Sequence, residues 1–275
     1  MATQYSHSKI TTYENCPLQF KLKYIDNLKE RWVNIEAFMG KCVHKALEKL
    51  YTDARDGRIL PLGEILAFFC ETWQKEFSDN VRVVKKNRES HDYFLQAQDC
   101  LKKYYSRYLP FNGNKIIGLE EKVVLPIGHE GPDENTDRPE FELVGIIDRL
   151  ESRGDGGFEI HDYKTSGHLP ANDDIMQDNQ LNLYQLALRK KHGENIRVKQ
   201  VWHYLVFDRE FSIERSDEEL KFARSRLINQ ILTIEDATNS RKFPARTGIL
   251  CQYCSYLEDC PARSGFPARR SSTNE

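Results

Sequence analysis

The sequence predicts an α/β fold: a small mixed sheet flanked by helices, with a helical N-terminal region and a cysteine-bearing C-terminal tail. Three observations predict it. Up to Pro110, apolar residues recur mainly at helical spacing. Beyond Asn114, runs of alternating character rich in Val, Ile and Leu appear. Residues 141–164 read as two strands joined by the turn Arg153-Gly154-Asp155-Gly156-Gly157. The expected organisation is one domain over residues 1–265, made of a helical part (1–110), a core (111–238) and a cysteine tail (239–265). Residues 266–275 are expected to be disordered.

Residues 6–25 are expected to form a helix capped by Ser6 or Ser8, broken where Cys16-Pro17 interrupts it. Residues 34–55 form a second helix, in which Gly40 and His44 lie one turn apart on one face. Helices follow at 62–80 and 91–109, with a basic loop of Lys85, Lys86 and Arg88 between them. Such a loop can contact phosphates, and it can equally be a solvated surface. A strand spans 115–127, where Glu120 or Glu121 can face other acids, and residues 128–139 form a polar loop. After the two central strands, a helix over 175–191 places Gln180 and Tyr184 one turn apart. The same Gln-x-x-x-Tyr spacing at Gln200 and Tyr204 falls in an alternating strand, so that pair does not project together. A short strand at 211–214 and an amphipathic helix at 217–238 complete the core.

The chain of 275 residues is 30% charged and 39% hydrophobic, as suits a soluble protein. A net charge of −2 means that nucleic-acid affinity has to come from local patches. The N-terminus is polar, without a signal-peptide core, and no apolar run approaches the roughly 20 residues of a membrane span. A cytoplasmic, intracellular location is therefore expected. There, seven cysteines argue for metal ligation, catalysis or packing rather than disulfides.

The chemistry concentrates at 141–164. Phe158, Ile160, Asp162 and Lys164 share a strand face, and Val144, Ile146 and Asp148 align the same way. Two apolar stripes thus each end in an acid, and burying those acids is costly unless they meet a metal or each other. Asp-x-Lys alone is weak, since Glu120-x-Lys122 and Glu219-x-Lys221 fit Asp/Glu-x-Lys too. The second acid, the upstream His44 and the Gln180/Tyr184 helix single out 162–164. A second constellation lies in the tail, where Cys251, Cys254 and Cys260 lack a fourth thiol that Cys16, also followed by proline, can supply. Cys42, Cys70 and Cys100 lie in helical patterns and act as small hydrophobes. An all-thiolate site suits zinc or an iron–sulfur cluster. The single Cys-x-x-Cys pair and the adjacent prolines lean toward the cluster.

Taken in order, these pieces resemble the RecB/AddB-type branch of the PD-(D/E)XK nucleases, and specifically its iron–sulfur members. The resemblance runs from Ser6 to Pro261. It rests on Ser-x-Ser with Cys16-Pro17, Gly40-x-x-x-His44, Gly145-Ile-Ile-Asp148-Arg149, Asp162-Tyr163-Lys164-Thr165, Gln180-x-x-x-Tyr184 and the three terminal cysteines. It implies a restriction-endonuclease-like core. It also implies that His44, Asp148, Asp162 and the Tyr163 carbonyl bind Mg²⁺ or Mn²⁺, and that Lys164 positions or helps deprotonate the attacking water. Gln180 and Tyr184 would brace the site and contact DNA, and Cys16, Cys251, Cys254 and Cys260 would hold a 4Fe–4S cluster. The implied activity is metal-dependent hydrolysis of DNA, as an exonuclease on single strands or ends in recombination and repair, with room for a separate helicase partner. A nuclease of CRISPR spacer acquisition shares the fold and the four cysteines, and a DNA-end-binding module without turnover is the alternative of another class. No Walker-type phosphate loop is present, so the chain is not itself a helicase.

Overall fold

The computed structural model describes residues 3–127, 141–171, 175 and 178–265. The expected loop at 128–139 and the expected disorder at 266–275 lie outside the described residues. A six-stranded mixed sheet is built from β1 (Thr3–Ser6), β4 (Lys115–Ile127), β5 (Phe141–Ser152), β6 (Phe158–Lys164), β7 (Val198–Tyr204) and β8 (Arg209–Glu214). Two short strands, β2 (Val33–Asn34) and β3 (Val81–Arg82), pair separately.

Each helix starts where its cap permits. Helix α1 (His7–Asn15) is capped by Ser6, whose hydroxyl accepts from Lys9 N at 3.1 Å. It stops at Cys16, which is extended, and Pro17 begins the short helix α2 (Pro17–Phe20) in the first-turn position that proline tolerates. Asn34 caps α3 (Ile35–Arg55). The helices α4 (Leu62–Glu76) and α5 (Ser90–Tyr108) follow. Helix α6 runs Asn179–His192, where Asp178 caps it by accepting from Gln180 N at 2.7 Å; Ile175, where the periodicity places the helix start, is helical too, ahead of that cap. Helix α7 (Asp217–Ser240) begins with a capping box made by Ser216 and Glu219. Strand β1 falls within a stretch read as polar and helical, and sequence pattern alone misses it.

The sheet is covered on both faces. One apolar core joins β1, β5, β6 and β7 to α1, α6 and α7 through residues such as Tyr5, Leu143, Ile160, Leu183 and Ile231. The other joins Ile116 of β4 and Tyr163 of β6 to α3, α4 and α5. β4 lies along one edge of β5 for its whole length. On the other edge β1 pairs with Phe141–Val144 and β6 with Arg149–Ser152. The sheet therefore forks at residues 145–148. Beyond His161, β6 leaves β5 and continues beside β7 alone, which opens the cleft that holds the site.

The apolar stripe expected along β5 differs from the one observed. Leu143 and Ile147 are fully buried, and Ile146 is 50% exposed. Ile147 and Leu150 both enter the same core although they stand three positions apart, so strict alternation breaks between them. Asp148 sits in that break. The stripe along β6 is as read, with Ile160 and Asp162 both buried.

Candidate active site and cysteine cavity

Four elements converge at the fork. Strand β6 brings Asp162 and Lys164, whose ammonium lies 2.7 Å from Asp162 Oδ2. From β5, Asp148 Oδ2 accepts the backbone N–H of Tyr163 at 2.8 Å. Helix α3 brings His44, with Nε2 donating to the Tyr163 carbonyl at 2.8 Å and Nδ1 lying 3.4 Å from Asp148 Oδ1. From α6, Gln180 joins Asp162 to Lys164. Its amide nitrogen donates to Asp162 Oδ1 and to the Tyr184 hydroxyl, each at 2.9 Å, and its oxygen accepts from Lys164 at 2.7 Å.

Two glycines make room for this arrangement. A Cβ on Gly145 would lie 2.2 Å from Cε1 of Tyr184, and a Cβ on Gly40 would lie 2.8 Å from Thr165 Oγ1. The glycines of the Gly145-x-x-Asp148 and Gly40-x-x-x-His44 motifs thus let α6 and α3 close onto the sheet. Arg149, next in the chain after Asp148, turns the other way. It is buried over the Tyr51 ring at 3.9 Å, donates to the Tyr104 hydroxyl at 2.9 Å and pairs with Glu151 at 3.1 Å.

The electrostatics are those of a crowded acid cluster. Burial pushes the Asp162 carboxyl up, and the neighbouring Asp148 adds to it against the pull of Lys164. Burial opposes the charge on Lys164, but Asp162 and Asp178 outweigh it and hold the ammonium. Burial also opposes charge on His44, yet Asp148, Asp162 and the Tyr163 carbonyl raise its pKa to about 9.

Glu120 enters beside them, and Glu121 instead faces Lys191 at 3.4 Å. Partial burial of the Glu120 carboxyl and then the Asp148 charge raise its pKa to about 7. Ligand atoms of His44, Glu120 and Asp148 all lie within 4.8 Å of one another. Asp162 stands outside that group, held by Gln180 and Lys164. Carboxylate oxygens with one imidazole and a carbonyl form a hard donor set that fits Mg²⁺ or Mn²⁺. Sequence reasoning left open which of Glu120 and Glu121 reaches the site. It missed Asp178, which caps α6 under Gln180 and accepts the Trp202 indole N–H at 3.0 Å. An acid just before a helical pattern was the available signal.

Cys16, Cys251, Cys254 and Cys260 line one cavity of about 200 Å³. Burial, and then the neighbouring thiols, push Cys254 up to about 11 against a backbone hydrogen bond from Tyr256. Backbone N–H groups of Arg246 and Gly248 donate to the sulfurs of Cys16 and Cys251, both at 3.4 Å. Among the described residues, no three of these thiols have sulfurs within 4.8 Å of one another. Cys42 and Cys100 are buried in helices, and Cys70 accepts from Gln98 at 3.4 Å.

The fold and the acid cluster are those of a nuclease. The chain belongs to the PD-(D/E)XK nuclease superfamily, whose family model matches residues 4–261. It is 25% identical over 248 residues to an ATP-dependent helicase/deoxyribonuclease subunit from Carboxydothermus hydrogenoformans, a match covering 78% of this chain and 22% of that protein. A solved structure of a candidate exonuclease from Eubacterium rectale is similar at 14% identity and a TM-score of 0.49, covering 98% of this chain and 90% of that one. Nucleases of this superfamily use divalent metals, and the acid and histidine group at the fork can bind one. Among the described residues, no helix is long and apolar enough to cross a membrane.

Proposed function

We propose that the protein is a metal-dependent DNA nuclease of the RecB/AddB type, an exonuclease on single strands or DNA ends in recombination or repair, with residues 1–265 acting as one catalytic unit. The observation that carries this reading is the Gln180 bridge. One amide fixes Asp162 and Lys164 relative to each other, next to the His44–Glu120–Asp148 group. Mg²⁺ or Mn²⁺ would be held by His44, Asp148, Asp162 and the Tyr163 carbonyl, with Glu120 added to that set. Bound there, the ion supplies Lewis acidity toward a phosphoryl oxygen and an acidified water.

The chain's own residues do the rest. Lys164, whose ammonium is favoured by Asp162 and Asp178, would orient the attacking water and stabilise the charge developing at phosphorus. Gln180 holds that cation in place, and Tyr184 braces Gln180. The relative's name, a helicase/deoxyribonuclease subunit, supports a separate ATP-driven helicase as partner.

The four tail thiols are read as holding a 4Fe–4S cluster. The single Cys-x-x-Cys pair, the prolines after Cys16 and Cys260, and the N–H groups aimed at two sulfurs support that reading. The test is degradation of end-labelled single- and double-stranded DNA by anaerobically purified protein, with Mn²⁺ or with EDTA. Metal-dependent release of short products from one end is expected. Internal cuts without end dependence would replace exonuclease with endonuclease, and binding without cleavage in Mn²⁺ would leave only a DNA-end-binding module.

A further inference from the structure

A second binding feature lies away from the acids. The loop between β3 and α5 and the cysteine tail enclose an open groove of about 640 Å³. Lys85, Lys86 and Arg88 form one wall, and Ile249, Tyr253 and Leu257 stand in the other. No carboxylate lines it among the described residues. The tail acids beside it, Glu258 and Asp259, are taken by Arg31 at 2.8 and 2.7 Å.

The basic wall is built rather than loose. The Arg88 guanidinium lies 3.9 Å over the Tyr93 ring and donates to Gln96 at 2.7 Å. The Tyr93 hydroxyl in turn donates to Glu36 at 2.9 Å, and Lys85 lies 3.5 Å from the same carboxylate. The opposite wall is apolar and open, with Ile249 79% exposed. Glu36 also fixes where the groove stands. It lies on α3 eight residues before His44, about 12 Å along the helix axis at the usual rise.

We infer that this groove is a second contact for single-stranded DNA, in which Lys85, Lys86 and Arg88 meet phosphates while Tyr253 and Ile249 take the face of an unpaired base. Cations along one wall and an aromatic with aliphatic neighbours along the other are what an unpaired strand uses, through phosphate neutralisation and sequence-tolerant stacking. A duplex would offer the apolar wall nothing, because its base faces are stacked. The inference rests on the nuclease reading for its substrate, and it adds a place where the strand is held outside the acid cluster.

Two measurements separate the groove from the metal centre. Binding of labelled oligothymidylate of about 16 nucleotides is measured by anisotropy in EDTA across a salt series, and hydrolysis of bis(4-nitrophenyl) phosphate in Mn²⁺ reports the metal centre alone. With the full chain, Lys85→Ala/Lys86→Ala is expected to weaken oligonucleotide binding roughly five-fold or more and to lower the salt slope by about 1.4. Small-diester hydrolysis should stay at the wild-type rate. Ile249→Glu should weaken single-strand binding more than binding of a blunt duplex. Wild-type affinity and slope in both variants would overturn the groove, as would an equal loss on duplex and single strand. A wild-type protein that holds the oligonucleotide through the groove, yet hydrolyses neither substrate in Mn²⁺, would overturn the nuclease reading and leave the groove standing.

Discussion

The acid site at the fork and the cysteine cavity in the tail are both ligand sets drawn from distant parts of the chain, but they are built in opposite ways. At the fork every donor stands on a regular element, and the groups already hold one another through Gln180, the Tyr163 peptide and His44. In the tail, Cys251, Cys254 and Cys260 stand on or beside one-turn 3₁₀ segments, and Cys16 stands at the break between two helices. The fork is thus pre-formed by hydrogen bonds and packing, and on the proposed reading the tail would depend on the cluster that joins its four sulfurs. The first arrangement suits chemistry, which needs fixed geometry. The second suits a clasp, whose contribution is to close the long loop from Cys16 to Cys251.

The sharpest way to break this contrast is to remove a ligand from each site. Asp162→Ala should lower metal-dependent DNA cleavage by roughly a thousand-fold or more, since several kcal/mol of charge stabilisation is lost at about 1.4 kcal/mol per tenfold. The fold should persist, because Lys164 keeps the Gln180 oxygen as a partner. Undiminished cleavage would remove Asp162 from the site. Cys16→Ser should do the reverse. Opening a loop that spans most of the chain costs on the order of 4 kcal/mol, or about 10 °C in Tm for a domain of this size. Hydrolysis of a small diester by the folded fraction should continue. Equal Tm values for variant and wild type in anaerobic melts would show that the cavity is no clasp.

A smaller effect tests whether the fork is pre-formed by close packing. Gly145→Ala forces a Cβ to within 2.2 Å of the Tyr184 ring. Such overpacking costs about 1–3 kcal/mol, and because Tyr184 accepts from Gln180, the cleavage rate should drop as well. In Tyr184→Ala protein, which has already lost that ring, adding Gly145→Ala should cost little further stability, while the rate stays low. If Gly145→Ala costs as much there as in the wild type, the close approach of α6 does not depend on that glycine.

The sequence carried more of the acid site than of the strand that supports it. Asp162 and Lys164 follow from alternation along β6, because that strand is regular and its neighbours are apolar. His44 and Gly40, like Gln180 and Tyr184, follow from helical spacing, which fixes a shared face before any tertiary contact is known. The β5 stripe misled, because the break between Ile147 and Leu150 comes from the forking of the sheet, which no local pattern records. Strand β1 was invisible for a related reason. Four polar-flanked residues become a strand only by pairing with Phe141–Val144, far along the chain. Glu120 could be narrowed only to one of two acids, since its placement depends on a left-handed backbone with φ of 47° opposite β5.

The last expected effect concerns protons, and it distinguishes the two sites without any loss of ligand. In metal-free protein His44 bridges Asp148 and the Tyr163 carbonyl, which raises its pKa from 6.5 to about 9. A base raised by folding stabilises the native state fully below its ordinary pKa, and that stability is lost as pH climbs through the raised one. Stability in EDTA should therefore decline between about pH 6.5 and 9, by at most about 1.4 kcal/mol for each step of one in pH. The same proton competes with the metal, so Mn²⁺ affinity at the fork should rise by up to roughly tenfold per pH unit over that window. Saturating Mn²⁺ should abolish the decline, and His44→Gln should flatten both curves. At the tail, burial pushes the Cys254 thiol up to about 11, so the proposed cluster would have to displace a thiol proton throughout that window. Melting in EDTA that is flat from pH 6.5 to 9 would mean that the imidazole does not hold the acids together before the metal arrives, and that the fork, like the tail, waits for its ligand to form.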